Sequence, residues 1–301
     1  MSERHTLELL AFTDPVCTWC WGSEPVLRKL QVWYGDQIRI VPVMGGLVED
    51  IRAFYDRANA IGGDPEQANA QIARHWREAS ARHGMPVETE GFRLFSAETV
   101  STYPQNIAYK AVELVSPELA PRFLRRMREA SAAEARETGK RSVLIELANE
   151  VGVDVATFIE RLNDGSAEQA FLSDRELIGR YRARGFPTFL LRWNKGELLL
   201  RGYQTFRQFQ AVISTLTELS LVGTAPGKTT DALFEFLKTY DRAAEVELME
   251  VFDLTRTELA ELLTAPGLKN RIRFIPAGNG GFWEVRAETA VCDSNVGQCS
   301  V

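Results

Sequence analysis

Hydrophobic residues near the amino terminus follow two different periods, and each period predicts one kind of element. Residues Thr6–Phe12 alternate well enough between apolar and polar positions to predict a strand. Apolar residues then recur at helical spacing over Pro25–Tyr34, and Ile38–Met44 predicts a second strand that ends at Gly45-Gly46. Because a helix crosses over from one strand to the next, the pattern favours a parallel pair.

Helical patterns fill the middle of the chain, from about residue 51 to residue 184. Runs of aromatic and β-branched residues that would predict strands are scarce there. The predicted helices are Pro65–His83, Asn106–Val115, Glu118–Thr138, Val143–Val151, Val155–Asn163 and Ala167–Arg184. We therefore predict a large helical insertion between two parts of one sheet.

Strand patterns return after this segment. Thr188–Trp193 and Glu197–Arg201 flank Asn194-Lys195-Gly196 and predict a hairpin, and Phe206–Leu219 predicts a closing helix. The sheet begun at the amino terminus is then completed, which gives an α/β fold for a first domain over residues 1–222 with its insertion at about 51–184.

The segment Leu221–Thr230 is the best candidate for a linker. Three helical patterns follow it, over Asp231–Arg242, Glu245–Val251 and Thr255–Leu263. A hairpin of Arg271–Pro276 and Phe282–Arg286 comes next, joined by a Gly-rich turn. Three helices followed by a hairpin is the order of a winged helix, so residues 226–301 are predicted to form a small α+β domain of that kind.

Composition places the chain among globular proteins. It has 301 residues, of which 45% are hydrophobic and 25% charged, with a formal net charge of −6. An acidic balance disfavours binding to nucleic acid, since phosphates need a basic face. Residues 226–301 carry eight Lys and Arg against twelve Asp and Glu. For that domain the charges favour a protein contact or a homodimer over DNA.

The first residues predict a cytoplasmic protein. MSERHTLELLAFTDPVC lacks the basic start and the continuous apolar stretch of a secretory signal, and no segment approaches the length of a membrane span. Four cysteines are too few for a disulfide scaffold, and cytosolic cysteines are more often redox-active or metal-binding.

Cys17-Thr18-Trp19-Cys20 is a CxxC between a predicted strand and a predicted helix. A thiol at the amino end of a helix is stabilised as thiolate by backbone N–H groups, and we expect that first thiol to be exposed. The second, one turn inside the helix, resolves a mixed disulfide. Trp19 and Trp21 are expected to supply apolar surface for substrate near the sulfurs.

Two other interpretations of the CxxC stay open. One is half of a zinc site completed by Cys292 and Cys299, although their spacing is longer than usual. The other is a pair of buried structural thiols.

The segment DPVCTWCWGSEP resembles the active-site region of the DsbA-like branch of the thioredoxin superfamily, and is most similar to cytosolic FrnE-type disulfide isomerases. Gly185-Phe186-Pro187-Thr188 resembles that family's second signature, a loop with a cis-proline beside the disulfide. The helical insertion also matches the family, and the resemblance covers about residues 5 to 220.

The resemblance implies roles for individual residues. Cys17 is the nucleophile, Cys20 the resolving thiol, Pro187 the cis residue, and Phe186 the residue that presents backbone to a bound peptide. Asp14 is a candidate proton acceptor, or alternatively a turn former before Pro15. The periplasmic branch often has histidine where this chain has Trp19, so the resemblance implies a less acidic Cys17 and a weaker oxidant.

Other candidate sites in the sequence are weak. His5, His75 and His83 have no metal-ligand spacing, so no metal site and no cofactor are predicted. The Arg-rich segment Arg122–Arg128 is expected to be a solvated helix face, and residues 278–281 a turn. Cys292 and Cys299 in the tail are a candidate second redox pair that exchanges with the CxxC, or else incidental thiols.

The main functional prediction is a thiol–disulfide oxidoreductase, a reductase or isomerase. Its substrates would be protein or small-thiol disulfides, and a thioredoxin or glutathione system would supply electrons. Three alternatives stay open: an adaptor that delivers a partner to the ClpXP protease, a redox-sensing DNA-binding regulator, and a kappa-class glutathione transferase. The complete CxxC favours the enzyme over the adaptor, and Cys20 argues against the transferase.

Overall fold

The computed structural model describes residues 6–286. Its strands are β1 (Leu7–Thr13), β2 (Ile38–Met44), β3 (Tyr55–Asp56), β4 (Ile61–Gly62), β5 (Thr188–Trp193), β6 (Gly196–Arg201), β7 (Arg242–Ala243), β8 (Ile272–Ala277) and β9 (Gly280–Val285). Its helices are α1 (Thr18–Gly22), α2 (Glu24–Tyr34), α3 (Pro65–His83), α4 (Tyr103–Val115), α5 (Ala120–Ala132), α6 (Arg141–Glu150), α7 (Val155–Asn163), α8 (Ser166–Arg180), α9 (Phe206–Leu216), α10 (Thr230–Tyr240), α11 (Glu245–Phe252), α12 (Arg256–Thr264) and α13 (Pro266–Lys269).

A four-stranded sheet in the order β2-β1-β5-β6 organises the first part of the chain. β1 runs parallel to β2 and antiparallel to β5, and β5 and β6 form the predicted hairpin. The predicted α/β class is therefore confirmed, although the two halves of the sheet join through an antiparallel pair.

Alternation along β1 divides its side chains between two cores. Leu7, Leu9 and Ala11 pack with residues of α2 and α9 on one face of the sheet. Leu10 and Phe12 pack with residues of α8 on the other. Because both faces of the sheet are covered, β1 is buried along nearly its whole length. The loop after Thr13 therefore starts inside the protein.

Between β2 and β5 the regular structure is mainly helical, as predicted, but residues 45–64 hold only the short strands β3 and β4, and residues 84–102 hold no helix. Helices α4 to α8 share one core around Phe123, Phe158 and Phe171. The predicted helix Glu118–Thr138 was too long. It ends at Ala132, and Ala135 has φ of 50° in the left-handed region, which a continuing α-helix does not allow. The predicted helix ending at Arg184 stops at Arg180 for a similar reason, since φ of Arg182 is also 50°.

β3 and β4 pair as a small two-stranded sheet, and the elements after α9 form a three-stranded sheet in the order β7-β9-β8, with α10 to α13 around it. The assignment of this part to the winged-helix class, and the boundaries 1–222 and 226–301, stay predictions. Among residues 6–286, none of the helices combines the length and the apolarity that crossing a bilayer requires.

Candidate functional site

The CxxC lies where β1 leaves the core of the sheet. Cys17 is the N-cap of α1, and its sulfur accepts a hydrogen bond from the backbone N–H of Cys20 at 3.2 Å. Cys20 lies inside that short helix, and both side chains are free thiols. The predicted placement, with one sulfur at the helix end and the other one turn inside, is thus what the fold contains.

The loop before β5 covers the first thiol. The peptide bond between Phe186 and Pro187 is cis, as predicted. The Cys17 Sγ donates to the Phe186 carbonyl oxygen at 3.5 Å, and the Phe186 ring lies over Gly45, where a Cβ would come within 2.0 Å of it. Cys17 is 7% exposed and Cys20 2%. The expectation of an exposed first thiol is wrong, because a loop 169 residues away closes over it.

The surroundings of the two sulfurs act on them in opposite ways. Burial raises the pKa of the Cys17 thiol well above its ordinary value, and the neighbouring Cys20 adds to that rise. Burial also opposes ionisation of Cys20. There, however, the neighbouring Cys17 thiol, the positive charge of Arg128 and the Thr13 hydroxyl lower the pKa of Cys20.

Asp14 anchors the loop that carries the CxxC. One carboxylate oxygen accepts from the Val16 backbone N–H at 2.9 Å, which is the turn-forming contact predicted as an alternative. The other accepts from the Leu47 N–H, the Thr102 hydroxyl and the Asn106 amide. Burial raises the pKa of Asp14, and these four donors oppose the rise. Its part as a proton acceptor stays a prediction.

The two tryptophans of the motif occupy different environments. Trp19 is half-buried, and its ring lies 5.9 Å from those of His83 and Tyr203. Trp21 is 1% exposed, and its indole N–H donates to the Pro86 carbonyl at 2.9 Å. The prediction that Trp21 offers surface to a substrate is wrong, because the side chain on that side of α1 faces the core.

A buried ionic network lies behind Cys20, where the sequence predicted a solvated helix face. Arg125 and Arg128 are 8% and 4% exposed. Arg128 donates to Glu24 of α2 and to the Thr13 hydroxyl, and Arg125 makes two hydrogen bonds of 2.8 Å to the Glu247 carboxylate. The prediction failed because the carboxylate partners outside α5 lie about a hundred residues away in sequence. The weak local signal was Glu129, one turn from Arg125 on the same helix.

Residues 6–286 contain no group of three or more His, Cys, Asp and Glu side chains that could hold a metal ion. His5, Cys292 and Cys299 lie outside the residues that the structure describes, so neither the zinc alternative nor the second redox pair is placed by it.

A family model described as "Thioredoxin" matches residues 10–210 of the chain. The fold is also similar to that of a Nitrosomonas europaea protein assigned as a protein disulfide isomerase, with a TM-score of 0.60 and 21% identity. A second similar structure is the cytosolic disulfide reductase DsbM from Pseudomonas aeruginosa, with a TM-score of 0.56 and 22% identity. Each covers 71% of this chain and 99–100% of its own, and they confirm the thioredoxin-like fold predicted above.

Similarity to curated relatives extends further along the chain. A protein of Halalkalibacterium halodurans named ClpXP adapter protein SpxH is 29% identical over 288 residues, which is 93% of this chain and 89% of that protein. The protein of that name from Bacillus subtilis is 23% identical, over 93% of this chain and 90% of its own length.

These relatives contradict the main functional prediction. A thiol–disulfide oxidoreductase was expected because the CxxC is complete, yet the relatives that align over nearly the whole chain are named as adaptors. A CxxC in a thioredoxin fold marks descent, and the same fold carries unrelated functions.

Proposed function

This chain belongs to the thioredoxin family, and we propose that it uses that fold as an adaptor, which binds a client protein and delivers it to the ClpXP protease. The proposal takes the place of the oxidoreductase prediction. The predicted disulfide substrates, reducing system and homodimer have no support in the comparisons. The narrower FrnE-type assignment and the cytoplasmic location stay predictions.

The length of the similarity carries this proposal. The disulfide reductase and isomerase structures align over 99–100% of their own chains but over only 71% of this one, so the remaining part has no counterpart in them. The adaptors align over 93% of the chain. The part of the chain that the reductase and isomerase structures lack therefore has a counterpart in the adaptors.

Packing between the two parts supports a single binding body. Helix α11 packs along α2, and the Trp33 indole N–H of α2 donates to the Val251 carbonyl at 2.9 Å. At the far end, Asn279 in the β8–β9 turn accepts from the Val87 N–H at 2.8 Å and its own N–H donates back at 3.0 Å. A rigid surface built from both parts suits recognition of a protein partner.

The state of the CxxC also fits binding better than turnover. A cysteine must be accessible at the surface if it is to attack the disulfide of a protein substrate. Cys17 and Cys20 are both more than nine-tenths buried. Trp19 and Phe186, predicted to contact a substrate, are partly exposed beside the pair and are candidates for contact with a client.

The proposal is tested by asking which proteins the chain helps to degrade. In the source cells, we expect deletion of its gene to lengthen the half-lives of a set of proteins, measured by pulse-labelled proteomics. The same set should be stabilised by deletion of the ClpX subunit. Deleting both should add nothing further, because an adaptor acts only through its protease.

A matched variant separates adaptor from oxidoreductase. The double substitution Cys17→Ser/Cys20→Ser should restore degradation in the deletion strain, since binding does not require either sulfur. The purified wild-type chain should reduce insulin with dithiothreitol no faster than the uncatalysed reaction. A double variant that behaves like the deletion, or a deletion that stabilises no ClpX-dependent protein, would overturn the proposal.

A further inference from the structure

Strand β6 is an open edge of the four-stranded sheet, since no further strand lies beyond it in the described part of the chain. Its register with β5, and the hydrogen bond from the Gly202 N–H to the Pro187 carbonyl at 2.9 Å, show which of its backbone groups face β5. Because these groups alternate along an antiparallel strand, those of Glu197, Leu199 and Arg201 point away from the sheet. These outward groups are available to a further strand.

The outward groups are unused within the described residues. Those of Glu197 and Leu199 have no hydrogen-bond partner there. The Arg201 carbonyl accepts from the Gln204 side-chain amide at 2.9 Å, and a carbonyl oxygen has a second lone pair. All three leucines of β6 are also partly exposed. The edge therefore presents both hydrogen-bonding groups and apolar surface.

Proteins usually protect a sheet edge from pairing with another chain. Prolines, lysines and very short strands are the common devices. In the described part of the chain, the other edge strands longer than two residues each contain a proline, Pro42 in β2 and Pro276 in β8. Strand β6 has six residues and contains neither proline nor lysine. Among these edges, β6 is thus the one whose sequence leaves it open.

The sequence of β6 is symmetric in chemical character about Leu199. Glu197 precedes that residue by two positions, Arg201 follows it by two, and a leucine lies on either side. If two copies pair antiparallel about Leu199, Glu197 of each copy lies opposite Arg201 of the other. Opposite charges and apolar side chains that face each other across two strands stabilise an antiparallel pair. The edge is therefore complementary to itself.

The charges also select this register over its neighbour. Centring the pair on Leu198 would place Arg201 opposite Lys195, and like charges directly across two strands are destabilising. The Arg201 side chain is exposed and has no ion-pair or hydrogen-bond partner among the described residues, so its charge is free to pair with a second copy.

We propose that β6 is an interface between two copies of this chain. The strands pair antiparallel about Leu199 and join the two sheets into one continuous sheet with four strands from each copy. Both copies use the same patch, so the assembly is closed at two. This surface lies outside residues 226–301, for which the charges favour a protein contact or a homodimer. Association needs no client, so it stands apart from the adaptor proposal and is tested on the purified chain.

Sedimentation velocity tests whether two copies associate. The full chain is measured from about 1 μM to about 300 μM, a range that covers a small interface. We expect the mass to rise with concentration from that of one chain, 33.8 kDa, toward twice that value. A chain that sediments as a single copy at every concentration would overturn the proposal.

Charge exchange tests the antiparallel register. Glu197→Arg places two cations opposite each other across the pair, and Arg201→Glu places two anions there. Each variant alone should self-associate at least about tenfold more weakly than the parent. An equal mixture of the two variant chains should recover association, because every altered charge then meets its opposite. The double variant Glu197→Arg/Arg201→Glu should recover it as well.

A matched control separates this interface from a general effect of charge. Arg256→Glu makes the same change at an exposed arginine of α12 and should leave association unchanged. Glu197→Arg also removes hydrogen bonds from Tyr181 and Arg192, so the fold of each variant is checked by circular dichroism. Recovery in the mixture cannot come from a damaged fold.

Three results would count against the second copy as the occupant of this edge. The mixture could remain a single copy, or Arg256→Glu could weaken association as much as Arg201→Glu. The third is a parent chain that stays a single copy while Glu197→Arg impairs degradation of clients in cells, which would assign the edge to a client segment instead.

Discussion

His83 is a buried imidazole that cannot be charged without disturbing its surroundings. It is 5% exposed, its Nδ1 accepts from the Met85 backbone N–H at 3.1 Å, and its Nε2 has no partner. Burial lowers the pKa of His83 to about 4. The histidine beside Trp19 is therefore neutral throughout the physiological range.

This burial predicts a loss of stability in mild acid. The unfolded chain binds a proton at residue 83 near pH 6.5, whereas the folded chain does so only near pH 4. The stability that the protein has with His83 neutral is fully present above pH 6.5. As the pH falls toward 4, the free energy of unfolding decreases by about 3 kcal/mol, because the unfolded chain binds the proton first. Urea unfolding at a series of pH values measures it.

The variant His83→Asn isolates the effect, since its amide oxygen can still accept from the Met85 N–H. The difference in unfolding free energy between wild type and His83→Asn should shrink between pH 7 and pH 4. His75→Asn, at a half-buried histidine of the same helix, should show a smaller change. A pH-independent difference for His83→Asn would contradict the assignment.

At the scale of elements, α1 is placed by a close approach to α3. Gly22 ends α1, and a Cβ on it would come within 2.5 Å of the His83 ring. The His83 ring accepts a hydrogen bond from the Met85 N–H, and moving the ring aside would break it. Helix α1, which carries the CxxC, therefore packs closely against α3 because residue 22 has no side chain.

The substitution Gly22→Ala should destabilise the protein by about 1–3 kcal/mol, because the added methyl overpacks a rigid contact. Gly179→Ala is the matched control: it lies in α8, is exposed, and meets nothing within 4 Å. That change should stabilise by about 0.5–1 kcal/mol through helix propensity. Thermal unfolding of both variants decides, and a similar response at the two positions would argue against the contact.

The whole molecule is joined through buried charge. Glu247 of α11 is fully buried and accepts from Arg125 of α5 through both oxygens, and from the Ala244 N–H at 2.8 Å. Arg28 of α2 lies 3.2 Å from the same carboxylate. These ion pairs join α11 to α5 and α2. Separating α11 from those helices would leave Glu247, Arg125 and Arg28 without their charged partners, which costs free energy.

Removing one partner should therefore weaken the whole structure. Glu247→Gln leaves Arg125 and Arg28 short of a counter-charge, and we expect a loss of about 3–5 kcal/mol in chemical unfolding. Asp231→Asn breaks the exposed pair with Arg271, at 3.7 Å, and should change stability by less than about 1 kcal/mol. Equal small effects would mean that the network contributes little to joining the two parts.

Much of this architecture was determined by local sequence. The strand–CxxC–helix–strand order, the hairpin after residue 187 and the long helical segment follow from the spacing of apolar residues, which needs only nearby neighbours. The cis peptide before Pro187 was predicted from a resemblance in the Gly185–Thr188 signature. Short elements such as β3, β4 and β7 were missed, since two residues are too few to show a period.

The environment of the candidate site was decided by tertiary contacts. Cys17 is buried because the Phe186 loop folds over it, Trp21 faces the core because α3 and the Pro86 segment receive it, and Arg125 is buried because Glu247 meets it across 122 residues. A sequence shows that a side chain can ionise or react. Whether water, a carboxylate or another chain segment lies beside it depends on residues far away, and burial and charge pairing set its chemistry.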